Sequence, residues 1–211
     1  MVLADWNKIR GIDGGSYSLY SGAYISSPYS LKISVHEGYA FKLTKSGLNN
    51  IVDGMIEVWL KTSYGWHDTY EFVFSFGFRS TNYTWSTLIG DPGDGTCSLN
   101  IYFYGKVVRY YKQSSAAGFI QHSIYPSIVS SVNPKVWNKW RCIWYTNASG
   151  VLVVKPQVLI GDTWQNICDP FTDPENPSGG IVGFAGYFAT SDPSAYILVD
   201  DMKIYRLTPL S

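Results

Sequence analysis

Charged residues are scarce in this sequence of 211 residues. Asp, Glu, Lys and Arg together make up 15% of it, against about a quarter in an average globular protein. The sixteen basic and sixteen acidic side chains cancel, so the formal net charge is zero. A neutral chain lacks the positive field that favours binding to nucleic acids or to anionic membranes, so we expect neither as the main partner.

Long apolar runs are also missing. No stretch approaches the roughly 18 consecutive apolar residues that cross a bilayer, so we expect no membrane insertion. The start, MVLADWNKIRGIDGG, lacks the basic segment and apolar run of an export signal. The surface polarity comes from Ser, Thr, Tyr and Asn, which suits an extracellular, cell-surface or virion-surface protein exported by another route or after removal of a leader. An ordinary β-rich domain with many exposed tyrosines has the same composition.

Cysteine and histidine are few and widely spaced. The cysteines are an odd number and match neither a disulfide framework nor a zinc site: Cys97, Cys142 and Cys168. Their spacing allows one bridge, but three buried thiols are the favoured interpretation. The histidines match no metal-binding or triad spacing: His36, His67 and His122. These residues therefore predict no metal or nucleophile chemistry.

Aromatic residues, by contrast, are abundant at 17%, and many recur at period two, which predicts β-strands. In segment 53–61, apolar Ile56, Val58 and Leu60 alternate with more polar residues. In segment 70–78 every second position is aromatic: Tyr70, Phe72, Phe74, Phe76 and Phe78. Because successive side chains of a strand point to opposite faces, five aromatics on one face predict a core surface.

Eleven segments show strand patterns and no segment shows a clear helical period. They are 30–35, 39–43, 53–61, 70–78, 97–104, 107–112, 119–124, 137–145, 151–160, 181–188 and 196–205. Clusters of Gly, Pro, Asn and Asp separate them, including those at 90–95, 147–150 and 173–180. We therefore predict a single all-β domain over 1–211, a two-sheet antiparallel β-sandwich of the jelly-roll kind.

Four motifs in the second half carry a family resemblance. They are W-N-K-W-R-C-I-W-Y at 137–145, the hairpin from Val151 to Trp164, G-G-I-V-G-F-A-G-Y at 179–187, and I-L-V-D-D-M-K-I-Y at 197–205. Together with the early strand S-L-K-I-S-V, they resemble the concanavalin A-like lectin/glucanase superfamily, which includes laminin G-like jelly rolls. The resemblance implies two curved antiparallel sheets, with a glycan bound on the concave sheet or at its rim.

The same superfamily includes glycoside hydrolases and polysaccharide lyases, so catalysis has to be argued from residues. The strand around Glu57 lacks the E-x-D-x-x-E cluster of the laminarinase-like members. Glu71 offers a second carboxylate if it meets Glu57 across neighbouring strands, and Arg141 offers a cation for a uronate. A strand Glu is more often a solvated residue, so we expect no enzymatic activity.

Exposed aromatic rings are the main candidates for binding, because sugars stack on rings and hydrogen-bond to amides, hydroxyls and Arg. Trp59, Tyr102 and Tyr104 are predicted to share one open sheet face. Trp66 and Trp85 stand in polar segments as rim candidates, and Arg109 is the candidate hydrogen-bond donor. Core packing, or cover by a layer of loops, is the alternative for each ring.

Asp200 and Asp201 form the one candidate metal site. Adjacent carboxylates in an otherwise apolar strand are costly to bury without partners. The family resemblance implies that Asp201 could hold a structural calcium ion, whose oxygen-only ligation suits carboxylates. Asp200 has the alternatives of capping a turn or pairing with a lysine.

Three functions follow, in decreasing order of support. The first is a non-catalytic, lectin-like domain that binds a glycan or polysaccharide. The second is a structural or attachment protein of a virion or cell surface, which forms a homo-oligomer or assembles into a larger surface structure. The third is a glycoside hydrolase or polysaccharide lyase.

Overall fold

The described part of the chain folds into β-strands connected by turns and one short helix. A computed structural model describes residues 6–11, 16–26, 29–34, 39–45, 50–66, 71–80, 97–112, 119–189, 192 and 194–208. In chain order, these residues form β1 (Trp6–Gly11), β2 (Ser16–Tyr20), β3 (Ser30–Ser34), β4 (Tyr39–Lys45), β5 (Gly54–Thr62), β6 (Glu71–Ser80), β7 (Cys97–Tyr102), β8 (Val107–Tyr111), β9 (Phe119–Ser123), α1 (Pro126–Ser131), β10 (Asn138–Thr146), β11 (Leu152–Ile160), β12 (Thr163–Asn166), β13 (Phe171–Asp173), β14 (Ile181–Ala189) and β15 (Tyr196–Arg206).

The strands form two sheets in which every pair is antiparallel. The seven-stranded sheet has the order β1-β4-β14-β6-β7-β8-β9. The eight-stranded sheet has the order β12-β11-β10-β5-β15-β3-β2, with β13 paired beside β11. Strands distant in sequence are neighbours in both sheets, as expected for the predicted jelly-roll sandwich.

The core lies between the two sheets and is built from the apolar positions of the alternating strands. Phe74, Phe76 and Phe78 of β6 are fully buried, as the period-two pattern predicts. The ring of Phe78 stacks on Trp144 of β10 with centroids 5.0 Å apart, which joins the two sheets directly. Ile56 and Val58 of β5 are likewise fully buried.

The eleven predicted strands are all confirmed, at bounds that differ by at most two residues. The sequence pattern missed β1, β2, β12 and β13 because these strands are short or polar. It also missed α1, in which only Ile128 is buried and Pro126 occupies the first turn, where proline is tolerated. None of the helices in the described ranges is long and apolar enough to cross a membrane.

A buried arginine connects the two sheets at one end. Arg79 of β6 donates from Nη2 to Asp53 Oδ1 at 2.6 Å and to Thr146 Oγ1 at 2.7 Å. Its Nε and Nη1 donate to the carbonyls of Val52 and Pro177 at 2.8 and 2.9 Å. The backbone of Arg79 has a positive φ of 50°, an unfavourable conformation that these bonds offset.

The three cysteines are buried thiols that form no disulfide, which confirms the favoured interpretation. Burial raises the pKa of Cys142 well above its usual value and that of Cys168 to about 12. Both thiols therefore stay protonated at neutral pH, and they pack as small apolar side chains.

Candidate binding face

The outer face of the seven-stranded sheet carries a row of aligned polar residues. Ser75, Asn100, Arg109 and Gln121 stand opposite one another on β6, β7, β8 and β9. Their neighbours along each strand point into the core, so this row points away from it. We call this surface the Arg109 face and define it by Ser75, Asn100, Tyr102, Arg109, Tyr111, Phe119 and Gln121.

Arg109 lies at the centre of the face, between two aromatic rings. Its guanidinium carbon is 4.3 Å from the centroid of Tyr102 and 4.5 Å from that of Phe119. Nε donates a hydrogen bond of 2.8 Å to Gln121 Oε1. Burial alone would lower the pKa of Arg109, but the hydroxyls of Tyr111 and Tyr102 raise it above the ordinary value. Arg109 is therefore a permanent cation held in one place.

Two tyrosines and a phenylalanine form an aromatic wall beside this cation. The hydroxyl oxygens of Tyr102 and Tyr111 are 3.0 Å apart, and both rings are largely buried. The ring of Tyr111 lies 5.2 Å from that of Phe119, which is 46% exposed. Burial raises the pKa of Tyr111 above its usual range, so its hydroxyl remains a donor. The aromatic wall is therefore exposed to solvent only on the side of β9, where Phe119 lies.

Asn100 contributes an amide that lacks one partner. The side chain is fully buried, and its Oδ1 accepts a hydrogen bond from the hydroxyl of Ser75. Its Nδ2 has no hydrogen-bond partner among the residues that the structure describes. An unpaired buried donor costs about 1–3 kcal/mol. A ligand atom that accepts from this Nδ2 would remove that cost.

The outer face of the eight-stranded sheet has a different arrangement, centred on Glu57. This carboxylate accepts from Lys139 Nζ at 2.8 Å and lies 3.7 Å from Arg141 Nη1. Arg141 also donates to Gln157 at 2.6 Å and lies 4.1 Å from the ring centroid of Trp164. We call this surface the Glu57 face. Its charges and amides satisfy one another.

The predicted binding residues are divided between the two sheets. Trp59 lies on β5 of the eight-stranded sheet, in register with Lys139, whereas Tyr102 lies on β7 of the seven-stranded sheet. The prediction that these two share one face with Tyr104 is wrong, because strands of similar pattern belong to different sheets. Tyr104 is 44% exposed, in the turn between β7 and β8. The structure brings Tyr102 and Arg109 together.

Packing accounts for the position of Trp66. Its ring stacks on Phe103 at 5.2 Å and meets Trp140 edge-on at 6.4 Å. Its Nε1 donates to the carbonyl of Val132 at 2.7 Å. Trp85, the other rim candidate, lies outside the described residues.

The carboxylates of Asp200 and Asp201 have separate partners. Asp200 is fully buried and accepts from the backbone N–H groups of Ile25 and Asp201, each at 2.7 Å. Asp201 has a positive φ of 43° at a β-bulge and pairs with Lys203 at 3.0 Å. No group of three or more potential metal ligands occurs in the described ranges. The pair as arranged presents no converging set of oxygens, so calcium binding here stays a prediction.

The two glutamates considered for catalysis lie on strands that are not neighbours. Glu57 lies on β5 and Glu71 on β6, and these strands belong to different sheets. The alternative considered for catalysis, in which the two residues lie on neighbouring strands, is therefore wrong. Arg141, considered as a uronate ligand, already has Glu57 within 3.7 Å.

Sequence reasoning missed five residues of the Arg109 face: Ser75, Asn100, Tyr111, Phe119 and Gln121. Each follows the period-two pattern of its own strand, so the outward direction of each could have been inferred. Their proximity depends on the pairing of β6 with β7, of β7 with β8 and of β8 with β9. Strand patterns alone do not specify that register.

Comparison with known proteins identifies the architecture. The sequence matches no protein-family model and no curated protein. Solved structures match it over nearly the whole chain. The legume lectin-like domain from Entamoeba histolytica superposes with a TM-score of 0.62 at 10% identity, covering 98% of this chain and 92% of that one.

Two further structures show the same similarity. The exoplasmic/lumenal domain of VIP36, in its Ca2+/Man3GlcNAc-bound form, has a TM-score of 0.59 at 11% identity, covering 100% of this chain and 87% of that one. The Emp46p carbohydrate recognition domain, in its metal-free form, has a TM-score of 0.58 at 11% identity, covering 98% and 90%. The chain thus has the concanavalin A-like lectin fold that its motifs predict. At this identity the similarity shows the fold alone.

Proposed function

We propose that this chain is a non-catalytic carbohydrate-binding domain, a single unit over 1–211, and that its glycan binds on the Arg109 face. The observation that carries the proposal is the fixed cation between the rings of Tyr102 and Phe119, beside the unpaired amide of Asn100. The lectin-like fold supports it, because its structural neighbours include a carbohydrate recognition domain.

The chemistry of the face suits a sugar. The weakly polar C–H surface of a pyranose packs on an aromatic ring such as that of Phe119, which is half exposed. The hydroxyls at the edge of the sugar need donors and acceptors, and Arg109, Gln121 and Asn100 supply both types. The strands hold these groups in register, so little conformational entropy is lost on binding.

The Glu57 face is the competing location, because Trp59 belongs to the same sheet. Its polar groups already bond to one another, so a sugar would have to replace existing contacts. Phe119→Ala removes an exposed ring from the Arg109 face, and Trp59→Ala removes the predicted binding ring from the eight-stranded sheet. The pair therefore decides between the two locations.

The test is retention of the wild-type chain and both variants on an array of glycans and polysaccharides. We expect wild-type binding and about a tenfold loss for Phe119→Ala, equivalent to about 1.4 kcal/mol of lost stacking. Trp59→Ala should bind as the wild type, with circular dichroism confirming that both variants fold. Loss with Trp59→Ala alone would move the site to the eight-stranded sheet, and no binding at all would overturn the proposal.

Two accompanying proposals concern calcium and location. VIP36 is known in a Ca2+-bound form as a lumenal domain. By analogy we propose a secretory or extracellular location for this chain and keep Asp201 as the predicted calcium ligand. Isothermal titration with CaCl2 of the wild type and of Asp201→Asn tests the ion, and fractionation of the producing cells tests the location.

Self-assembly into a surface structure is the second candidate function. Large apolar side chains are exposed on and after β2, the end strand of the eight-stranded sheet as described: Leu19, Tyr20, Tyr24, Ile25 and Tyr29. An unpaired strand edge beside apolar residues is suited to pairing with a second copy of the chain. Analytical ultracentrifugation tests this, with Leu19→Lys expected to weaken any dimer and a monomeric wild type overturning the idea.

A further inference from the structure

We infer that the glycan recognised at the Arg109 face carries an anionic group, a carboxylate or a sulfate, that pairs with Arg109. This inference rests on the proposed function, because it specifies the ligand class of the same face. It is supported by the absence of a counter-ion for Arg109 among the described residues and by an excess of hydrogen-bond donors around it.

The missing counter-ion is the first observation. None of the described residues offers Arg109 a carboxylate, and the groups that surround its guanidinium are the rings and hydroxyls of Tyr102 and Tyr111, the ring of Phe119 and the amide of Gln121. The comparable Arg141 of the Glu57 face has Glu57 within 3.7 Å. A partly buried cation without an opposite charge attracts an anion strongly, because the surroundings screen the charge less than water does.

The excess of donors is the second observation, and it is independent of charge. Asn100 stands directly opposite Arg109 in the sheet, and its Nδ2 has no acceptor in the described part of the chain. Gln121 Oε1 and Asn100 Oδ1, the two amide acceptors of the row, are already bonded to Arg109 Nε and the Ser75 hydroxyl. The donor of the row that has no partner, Asn100 Nδ2, can therefore bond to an acceptor of the ligand.

A carboxylate or sulfate supplies both the negative charge that Arg109 lacks and an acceptor for the unpaired donor of Asn100. Its oxygens accept from guanidinium N–H groups of Arg109 other than the Nε–H that bonds to Gln121, in the charge-assisted geometry that arginine favours. A remaining oxygen accepts from the amide of Asn100. The neutral net charge of the chain gives no long-range attraction to polyanions, so this recognition is local and specific to the face.

The experiment compares glycans in matched anionic and neutral forms. The probes are polygalacturonate and its methyl ester, hyaluronan and its methyl ester, sulfated and desulfated galactan, and sialylated and desialylated oligosaccharides. We expect the wild-type chain to retain at least one anionic form about tenfold or more better than its neutral partner. The uronate, sialate and sulfate pairs distinguish the two anion types.

Variants assign the preference to one residue. Arg109→Met should abolish the difference between anionic and neutral forms, whereas Arg109→Lys should retain part of it because the charge remains. Arg141→Met is the matched control, since Arg141 also lies over a ring and donates to a glutamine. This control should keep the full preference.

The outcomes separate this inference from the proposed function. Retention of neutral glycans with equal or better affinity than anionic forms overturns the anionic preference and leaves the lectin function standing. Loss of the preference with Arg141→Met but not with Arg109→Met overturns the assignment to this face. Failure to retain any glycan overturns both proposals.

Discussion

The outer faces of the two sheets both carry an arginine that lies over an aromatic ring and donates to a glutamine on the next strand. Arg141 lies 4.1 Å from the Trp164 centroid and donates to Gln157, and Arg109 lies 4.3 Å from the Tyr102 centroid and donates to Gln121. The difference is the carboxylate of Glu57, which neutralises Arg141 and has no counterpart beside Arg109 in the described residues.

The same arrangement of arginine, ring and glutamine is therefore neutralised by a carboxylate on the Glu57 face and not, among the described residues, on the Arg109 face. On the Glu57 face, the charges and amides satisfy one another, so removing a member costs folding stability. On the Arg109 face, the cation and the amide of Asn100 keep unused bonding capacity, so removing a member should cost binding. Stability and retention measurements can therefore separate the two faces.

The largest expected effect is on stability, from Glu57→Ala. This change leaves Lys139 and Arg141 close together without their shared carboxylate. Breaking a largely buried ion pair in this way costs about 3 kcal/mol in the free energy of unfolding. Urea denaturation measures it. Lys135→Ala removes an exposed lysine before β10 and serves as the control, with little expected change. A Glu57 variant as stable as the wild type would contradict the structural role of that face.

The second effect is on binding, from Asn100→Asp. Residues directly opposite in a sheet have Cβ atoms about 5 Å apart, so the new carboxylate gives Arg109 an internal counter-ion. The Arg109 face then resembles the Glu57 face, and retention of an anionic glycan should fall about tenfold or more. Gln157→Glu makes the matching change beside Arg141 and should leave retention unaltered. Equal loss in both variants would show that the effect is one of overall charge.

The smallest expected effect is that of pH. Burial raises the pKa of Tyr111, and the tyrosine hydroxyls raise that of Arg109, so neither group changes charge between about pH 7 and 9. Retention should be constant over that range. The contribution of Tyr111 to stability is present below its unfolded pKa of about 10 and is lost as the pH rises further. A change in retention near pH 8, measured at constant salt, would point to a different titrating group.

The fold could be predicted from the sequence because the core positions alternate. Phe74, Phe76 and Phe78 indicate a buried face by their spacing alone, and the structure buries them fully. The short strands β12 and β13 were missed because four and three residues carry too little periodicity. Each is held in place by pairing with β11, a long-range effect.

The candidate site could be predicted only in part, because it depends on register between strands. The pattern correctly placed Tyr102 on the opposite side from Leu99 and Ile101. It could not show that Trp59 belongs to the other sheet, since both strands alternate in the same way. Nor could it show that Asn100 stands beside Arg109, a relation set by the turn at 103–106.

The place of β15 in the eight-stranded sheet constrains the order of assembly during synthesis. This strand, the last one described, lies between β5 and β3, and the buried carboxylate of Asp200 holds the backbone at Ile25 and Ser26. A nascent chain that has not yet emerged beyond residue 195 cannot join β2 and β3 to the rest of the sheet. Contacts of such high sequence separation slow folding, so the early strands must wait for the final one.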